Sequence, residues 1–556
     1  TVTDRPLNND VNIINGRERF QIRLRDTKKF LPPGPGVCLK APQKEKILLE
    51  RVTMGAGGQL NALGLSSNHQ KGERNNSFER INESHADDTV FIVGGYTRCE
   101  LLAHTPKDES NIHGDDDDEE NASFSVEERK ASKKEENEEM KSKAGVHVLS
   151  LDGRTGQLEM VTTNDIGPNV AFVTRHPTKP DVIYASTERI DVEGEVVTMR
   201  LTRDLRLKEI ARCSAGGKST CYLNFNKSNR YMMSVNYWDA KLALIHLDDL
   251  GRPETPNTVF MQPGAKYVDD KKPTREEHWE FRQRWPHSHC IVTEPYHNML
   301  HFVVDLGLDR IFVYRVGEPS TMVTAPEFVC KASVKLQPGK GPRHLVFHQT
   351  LKTAYLVNEL DSTVSVFNVN VNDEWMEQLP LANEQPTMKT FDDEKDTKEE
   401  SDETAALNVF QCISTLPEGS REQKVFTDRG VWKAASHASE IRVHPSGKFL
   451  YVGNRGHDSI ACFKIDAEDG SLEFIAAVPS GGKCPRNFHF SANGGFVCVG
   501  NQNSSNVASF AVCPESGMLE LVHVRHSVCL PNYVYPIPKS TLDLVTSSDD
   551  DEDVVL

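Results

Sequence analysis

YMMSVNYWDAKLALI (231–245), LHFVVDLGLDRIFVY (300–314), TAYLVNELDSTVSVF (353–367), FLYVGNRGHDSIACF (449–463) and FVCVGNQNSSNVASF (496–510) align without gaps. Each opens on an apolar run and carries Asn or Asp at its sixth position: Asn236, Asp305, Asn358, Asn454 and Asn501. A short polar turn follows, then a run in which apolar and polar residues alternate. Alternation of period two is the mark of a half-buried strand, and two such runs across a turn read as a strand pair. The unit is strand, turn, strand, copied along the chain, and a copied unit decides the architecture before any single motif does.

Successive Asn/Asp positions lie 69, 53, 96 and 47 residues apart. The shorter intervals suit a four-stranded blade of about 40–50 residues. The longer ones hold insertions: KYVDDKKPTREEHWEFRQRWP (266–286) and a polar, acid-rich block over about 383–428. Two weaker copies lie upstream. VIYASTERIDVEGEVV (182–197) places Thr187 at the Asn position, and VFIVGGYT (90–97) is completed after an insertion by VHVLSLDGRTGQLEMVT (146–162). A further strand precedes the clear units, as in TCYLNFNKS (220–228), HSHCIVTEP (287–295), PRHLVFHQT (342–350), SEIRVHPSG (439–447) and PRNFHFSAN (485–493). Seven units predict an all-β, seven-bladed β-propeller over 89–525, in which radial repetition protects the sheet edges.

The remainder of the 556 residues reads as an N-terminal extension (1–88), partly disordered, and a C-terminal segment (526–556) ending in an acidic tail. FQIRLR and KILLERV are the ordered candidates of the extension. Residues 104–143 and 391–404 are almost wholly charged and polar. They cannot offset their ordering entropy by burial and are expected to be disordered acidic loops. The formal charge of −17 gives no basic face for nucleic acid. No run of 18 apolar residues predicts a membrane helix, and the N-terminus has no signal-peptide pattern. The twelve cysteines are scattered without a CxxC, which suits reduced, buried thiols in a cytoplasmic protein. Nothing in the sequence supports a protein partner for the acidic loops.

In a propeller the inner strands line one axis, so equivalent positions of different blades converge there. The starts of the inner strands carry His287, His289, Arg343, His344, Glu440, Arg442, Arg486 and Asn487, and the position after the repeated Asn carries Glu359, Arg455 and Gln502. Arginine grips carboxylate or phosphate through its planar fork, and His or Glu can move a proton. The set predicts an anionic substrate and acid–base chemistry. His287 and His289 could supply two metal ligands, but no third is visible, so neither metal nor cofactor is expected. His348 and His444 sit where a repeat needs a capping side chain. The repeated Asn and Asp serve the turn, since their side chains bond nearby backbone. Positions that differ between blades are the better candidates for function.

PHSHCIV, VVDLGLDRIFVYRV, GPRHLVFH, AYLVNELDSTVSVF, ASEIRVHPSGKFLYVGNRGHDSIACF and PRNFHFSANGGFVCVGNQNSSNV resemble the lactonase family of seven-bladed propellers. That family includes 6-phosphogluconolactonases of the cycloisomerase-2 type and carboxymuconate-lactonizing enzymes. The resemblance is dense over 287–510, thinner over 90–247, and absent from the first 88 residues and the acidic loops. It implies a catalytic set of one His, two Arg and one Glu. By motif these are His289 of PHSHC, Arg343 of GPRH, Glu359 of VNEL and Arg455 of GNRG, with Arg442 the less well matched choice for the second Arg. It further implies a small anionic lactone as substrate, most simply 6-phosphogluconolactone. The alternatives are carboxymuconate cycloisomerisation and a non-enzymatic scaffold. No GxSxG is present, which disfavours a serine-hydrolase route, and no Trp recurs by blade as scaffold propellers would show.

Overall fold

A computed structural model of the protein describes residues 11–15, 18–22, 88–102, 145–256, 258–262, 282–283, 285–316, 328–371, 398–399, 406–420, 424–426 and 432–542. The chain divides into two units, Thr1–Gly72 and Glu73–Leu556. The first contains an antiparallel hairpin, Val11–Asn15 with Glu18–Ile22, which takes up part of FQIRLR. KILLERV and the loop 104–143 lie outside the described residues.

Among the described residues of the second unit, seven antiparallel sheets are each built on four strands, in chain order from the axis outward in all but blade I, and a short hairpin pairs Lys424–Phe426 with Trp432–Ala434. Blade I combines Pro531–Pro538 with Thr89–Gly95, Val146–Leu151 and Leu158–Asn164. The inner strands of blades II to VII are Val170–Arg175, Thr220–Phe225, Ser288–Thr293, Pro342–Phe347, His437–Val443 and Pro485–Phe490. Each packs against the inner strands on either side, and the series closes from blade VII through Pro531–Pro538 to blade II.

That closure corrects the expected boundary at 525. The ring runs to Pro538, and its last strand joins its first across the chain termini of the propeller. PNYVYPIP did not read as a strand because it holds three prolines. An inner strand is a sheet edge with one neighbour, where the missing N–H is tolerated. The block 383–428 is likewise not all insertion: Leu407–Ser414 is the outer strand of blade V. Outer strands are half exposed, so its polar alternation blended into acidic surroundings. Lys398–Glu399, inside the acidic stretch 391–404, adds a short parallel strand to the edge of blade IV.

Between blades the apolar faces pack, with Phe302 and Phe347 edge-to-face at 5.3 Å. Buried tyrosines add polar latches. Tyr184 donates to the Gly251 carbonyl at 2.5 Å, Tyr355 to Gly470 at 2.9 Å and Tyr451 to Gly517 at 2.7 Å, each reaching a turn of the next blade. Gly517 must be glycine: its φ is +71° and a Cβ would lie 2.4 Å from the Phe449 ring.

The repeated Asn and Asp hold the hairpins as expected. Asn454 accepts from Thr415 Oγ1 at 2.7 Å and donates to the Thr415 carbonyl at 2.9 Å. Asp305 accepts from the His287 and Leu308 N–H groups and from Ser288 Oγ. His444 and His348 tie turns across blades through the Gly494 and Gly447 carbonyls, both at 2.9 Å.

Candidate active site

One irregularity recurs in the inner strands and aims their side chains. Each has a register shift near its start, leaving unpaired Ala171, Cys221, His289, Arg343, Arg486 and Asn532, and in blade VI Ser439 and Glu440. A bulge leaves one residue out of the ladder and re-aims it. Six of these bulge residues line one pocket at the axis. A second ring comes from the residue after the repeated Asn: Tyr96, Glu188, Tyr237, Leu306, Glu359, Arg455 and Gln502. Its backbone N–H usually donates to the carbonyl just before the inner strand, as Glu359 does to Gly341 at 2.7 Å and Glu188 to Asn169 at 2.8 Å. Residues of both rings, among them Cys221, His289, Glu188, Tyr237, Glu359 and Arg455, line about 450 Å³ of space that includes open solvent.

Glu359 is 1% exposed and meets three guanidinium groups. Arg343 Nε lies 3.2 Å from Oε2, Arg455 Nη2 lies 3.0 Å from the same oxygen, and Arg282 Nη2 donates to Oε1. Burial alone would raise the Glu359 carboxyl, but Arg282, Arg455 and Arg343 together hold it well below the usual carboxylate range. Arg343 is pushed down to about 10 by burial and the nearby Arg455 charge. Its Nη1 donates to the Ser439 carbonyl at 2.9 Å, which fixes the fork.

His289 packs edge-on against Tyr237 and His344, with ring centroids 5.3 and 5.1 Å away. Burial, reinforced by the Arg343 charge, holds its imidazole well below the ordinary histidine value, so it is neutral near pH 7. Its Nδ1 is buried without a hydrogen-bond partner. His344 falls to about 4 for the same two reasons. Its Nδ1 lies 3.4 Å from Glu440 Oε2, a contact of a neutral ring with a carboxylate. Glu440 is itself lowered to about 2, burial being outweighed by Arg442 and His344.

The structure brings His289, Arg343, Glu359 and Arg455 around one pocket, with His344, Arg486 and Asn487 beside them. Glu440 stands behind, accepting from Asn487 Nδ2. Arg442 turns to Glu440, 3.8 Å away, and donates to the Phe488 carbonyl at 2.7 Å. Between the two candidates for the second Arg, it is Arg455 that contacts Glu359. His287 does not share a site with His289: it stacks on Tyr237 at 4.6 Å, and its Nδ1 lies 3.0 Å from the Tyr237 carbonyl. The bulge at His289 breaks the alternation that would have set the two imidazoles on one side. Gln502 contacts Asn503 rather than the pocket lining. Among the described residues, no group of three or more His, Cys, Asp and Glu is placed to hold a metal ion.

Several lining residues escaped the sequence reading. Tyr96, Glu188 and Tyr237 occupy the same post-Asn position as Glu359; the upstream copies would have exposed Tyr96 and Glu188, and the first clear copy, YMMSVNY, would have exposed Tyr237. Arg282 belongs to the inserted stretch before blade IV. Blade IV presents apolar Leu306 in the second ring, and the neighbouring Gln283 donates to the Leu306 carbonyl at 3.2 Å. From there Arg282 spans to Tyr237 Oη at 3.2 Å and to Glu359. No repeat logic could have found a residue outside the repeat.

A closed ring of seven sheets around an arginine-rich axial pocket defines a seven-bladed β-propeller with a polar site at its axis. The chain belongs to the lactonase, 7-bladed beta-propeller family, whose model matches residues 135–536. It is 27% identical over 329 residues to the 6-phosphogluconolactonase of Bacillus subtilis, covering 58% of this chain and 76% of the relative. It is 25% identical over 357 residues to that of Formosa agariphila, covering 63% and 83%. Its fold matches the periplasmic gluconolactonase of Pseudomonas aeruginosa with a TM-score of 0.57 at 22% identity, over 81% of this chain and 99% of the other.

Proposed function

We propose that this protein hydrolyses 6-phosphogluconolactone to 6-phosphogluconate. The observation that carries the reading is Glu359, buried among three guanidinium groups beside a neutral imidazole. The carboxylate is too weak a base to take a proton at neutral pH; it orients Arg282, Arg343 and Arg455. The neutral His289 is the general base. Water attacks the lactone carbonyl carbon while His289 takes its proton. Arg343 and Arg455 stabilise the oxyanion as it forms, a term commonly worth about 10²–10³ in rate per donor. The ring C–O bond then breaks, and the leaving alkoxide receives the proton from His289. Four arginines line the pocket, Arg282, Arg343, Arg455 and Arg486, enough to hold a phosphate as well as the carboxylate produced.

The named relatives support lactone hydrolysis over cycloisomerisation, and the chemistry-bearing pocket supports an enzyme over a scaffold. The scattered cysteines, none in a CxxC, support a reducing, cytoplasmic setting. Among the described residues no helix is long and apolar enough to cross a membrane. The test is hydrolysis of 6-phosphogluconolactone and gluconolactone side by side, corrected for spontaneous opening. A higher kcat/KM on the phosphorylated lactone is expected. Equal values would remove the phosphate from the account, and no rate on either would remove lactone hydrolysis.

A further inference from the structure

We infer that Glu188 is a further catalytic residue: its carboxylate accepts the second hydrogen of the attacking water, whose first goes to His289, and so aims the water lone pair at the lactone carbonyl carbon. The inference rests on the lactone-hydrolase reading and supplies the group that orients its nucleophile.

Placement is the first observation. Glu188 and Glu359 follow the repeated position of blades II and V, three blades apart in a ring of seven, so radial symmetry sets them on opposite sides of the axis. Tyr96, Glu188, Cys221, His289 and Arg486 line both lobes of the pocket, whereas Glu359 lines only one. The Glu188 carboxylate and the His289 imidazole therefore bound the same central space.

The partners of the two carboxylates are the second. Arg282, Arg343 and Arg455 occupy the oxygens of Glu359. Glu188, 9% exposed, meets hydroxyls instead. Tyr96 Oη donates to its Oε2 at 2.5 Å and Ser219 Oγ to its Oε1 at 2.8 Å. Tyr96 is held in turn by a hydrogen bond with Asn532. A carboxylate offers about four acceptor sites, so two donors fix its orientation and leave lone pairs on both oxygens.

A water aimed at an electrophile needs acceptors for both of its hydrogens, and the other polar groups of the pocket are committed. Tyr237 Oη accepts from Arg282 at 3.2 Å. His344 faces Glu440. Asn487 donates to Glu440 and accepts from the Val534 N–H at 2.9 Å. Cys221 turns its thiol to the His289 carbonyl at 3.5 Å, and burial pushes its ionisation up, so it does not compete as a nucleophile. Glu188 is the acceptor that shares a water with His289 while the arginines hold the carbonyl oxygen. One water O–H bond breaks as its proton passes to His289 and the new C–O bond forms. The other O–H stays bonded to Glu188, which takes no proton.

The experiment is steady-state hydrolysis of 6-phosphogluconolactone by wild type, Glu188→Gln and Glu188→Ala, with and without added formate. Glu188→Gln keeps the side-chain shape and replaces one acceptor oxygen by a donor. Its kcat should fall about 10²-fold with KM within a few-fold, the cost of a misplaced reactant. Glu188→Ala should fall at least as far, and formate, a carboxylate small enough for the space left by the side chain, should restore about tenfold. A role in binding substrate would raise KM instead, and a merely structural role would leave formate without effect; either result overturns the water site. If Glu188→Ala does not fold, the kcat and KM of Glu188→Gln decide, and an unchanged kcat overturns it. With wild type active, these outcomes strike the water site alone. Wild type that opens no lactone overturns the hydrolase reading and the water site together.

Discussion

Two adjacent positions of the same hairpin behave in opposite ways. The Asn or Asp that ends the second strand is nearly the same in every clear blade and fully buried, and it is bonded to its own hairpin, as Asn454 is to Ser459 and Asn358 to Thr363, and to the neighbouring blade, as Asn454 is to Thr415. The next residue changes from blade to blade: Tyr237, Leu306, Glu359, Arg455, Gln502. At Tyr237, Glu359 and Arg455 it lines the axial pocket, where seven blades meet and no two need contribute the same group. Repetition marks what each blade needs to fold, and departure from repetition marks what the ring as a whole does.

The comparison can be broken at either position. The largest effect is expected at the variable one: Arg455→Ala should lower lactone kcat/KM by about 10²–10³, the cost of one oxyanion donor, measured by steady-state hydrolysis. Asn454→Ala should do the reverse. It leaves buried partners unsatisfied at about 1–3 kcal/mol each, so denaturant unfolding should show a loss of about 2–3 kcal/mol while kcat/KM of the folded fraction stays within a few-fold. Arg282→Ala should raise KM for the phosphorylated lactone about tenfold, with Arg282→Lys recovering part of it, if the inserted stretch supplies the missing polar group of blade IV. Tyr355→Phe removes one inter-blade latch and should cost about 1 kcal/mol, with no change in pH profile.

The pH behaviour sharpens the same contrast. His289 is held well below the ordinary value by burial and then by Arg343 and His344. Protonation of the base removes activity, so the acid limb of kcat/KM should fall below pH 6.5. Arg343→Gln removes a positive neighbour, raises the His289 value and should move that limb upward. Stability follows a different set. His147, His301 and His344 sit at about 4 in the folded chain against 6.5 when free. Between those values the unfolded chain binds more protons, so stability is complete above pH 6.5 and is lost progressively as pH falls toward 4. Chemical denaturation at pH 7 and pH 5 measures it.

The ring, its blade number and the three residues His289, Arg343 and Arg455 around Glu359 were legible because alternation and repeated turns are local signals. Pro531–Pro538 was not, since an inner edge strand tolerates the prolines that normally argue against a strand. Leu407–Ser414 was hidden because an outer strand is half solvated and resembles its acidic neighbours. His287 and His289 were paired by a strict alternation that the bulge at His289 removes. Arg282 was invisible for a different reason: it reaches the axis from outside the repeat, so only the folded chain shows it beside Glu359. Tyr96 and Glu188 lay within reach, at the post-Asn position of the two weakest copies.

The most direct test is hydrolysis of 6-phosphogluconolactone by wild type and Glu359→Gln in parallel, each rate corrected for spontaneous opening. The substitution keeps the shape of the side chain and removes the charge that gathers three arginines. The account predicts turnover by wild type and a loss of about 10² or more in the variant, with the ring still folded by circular dichroism. Equal turnover by the two proteins would contradict it.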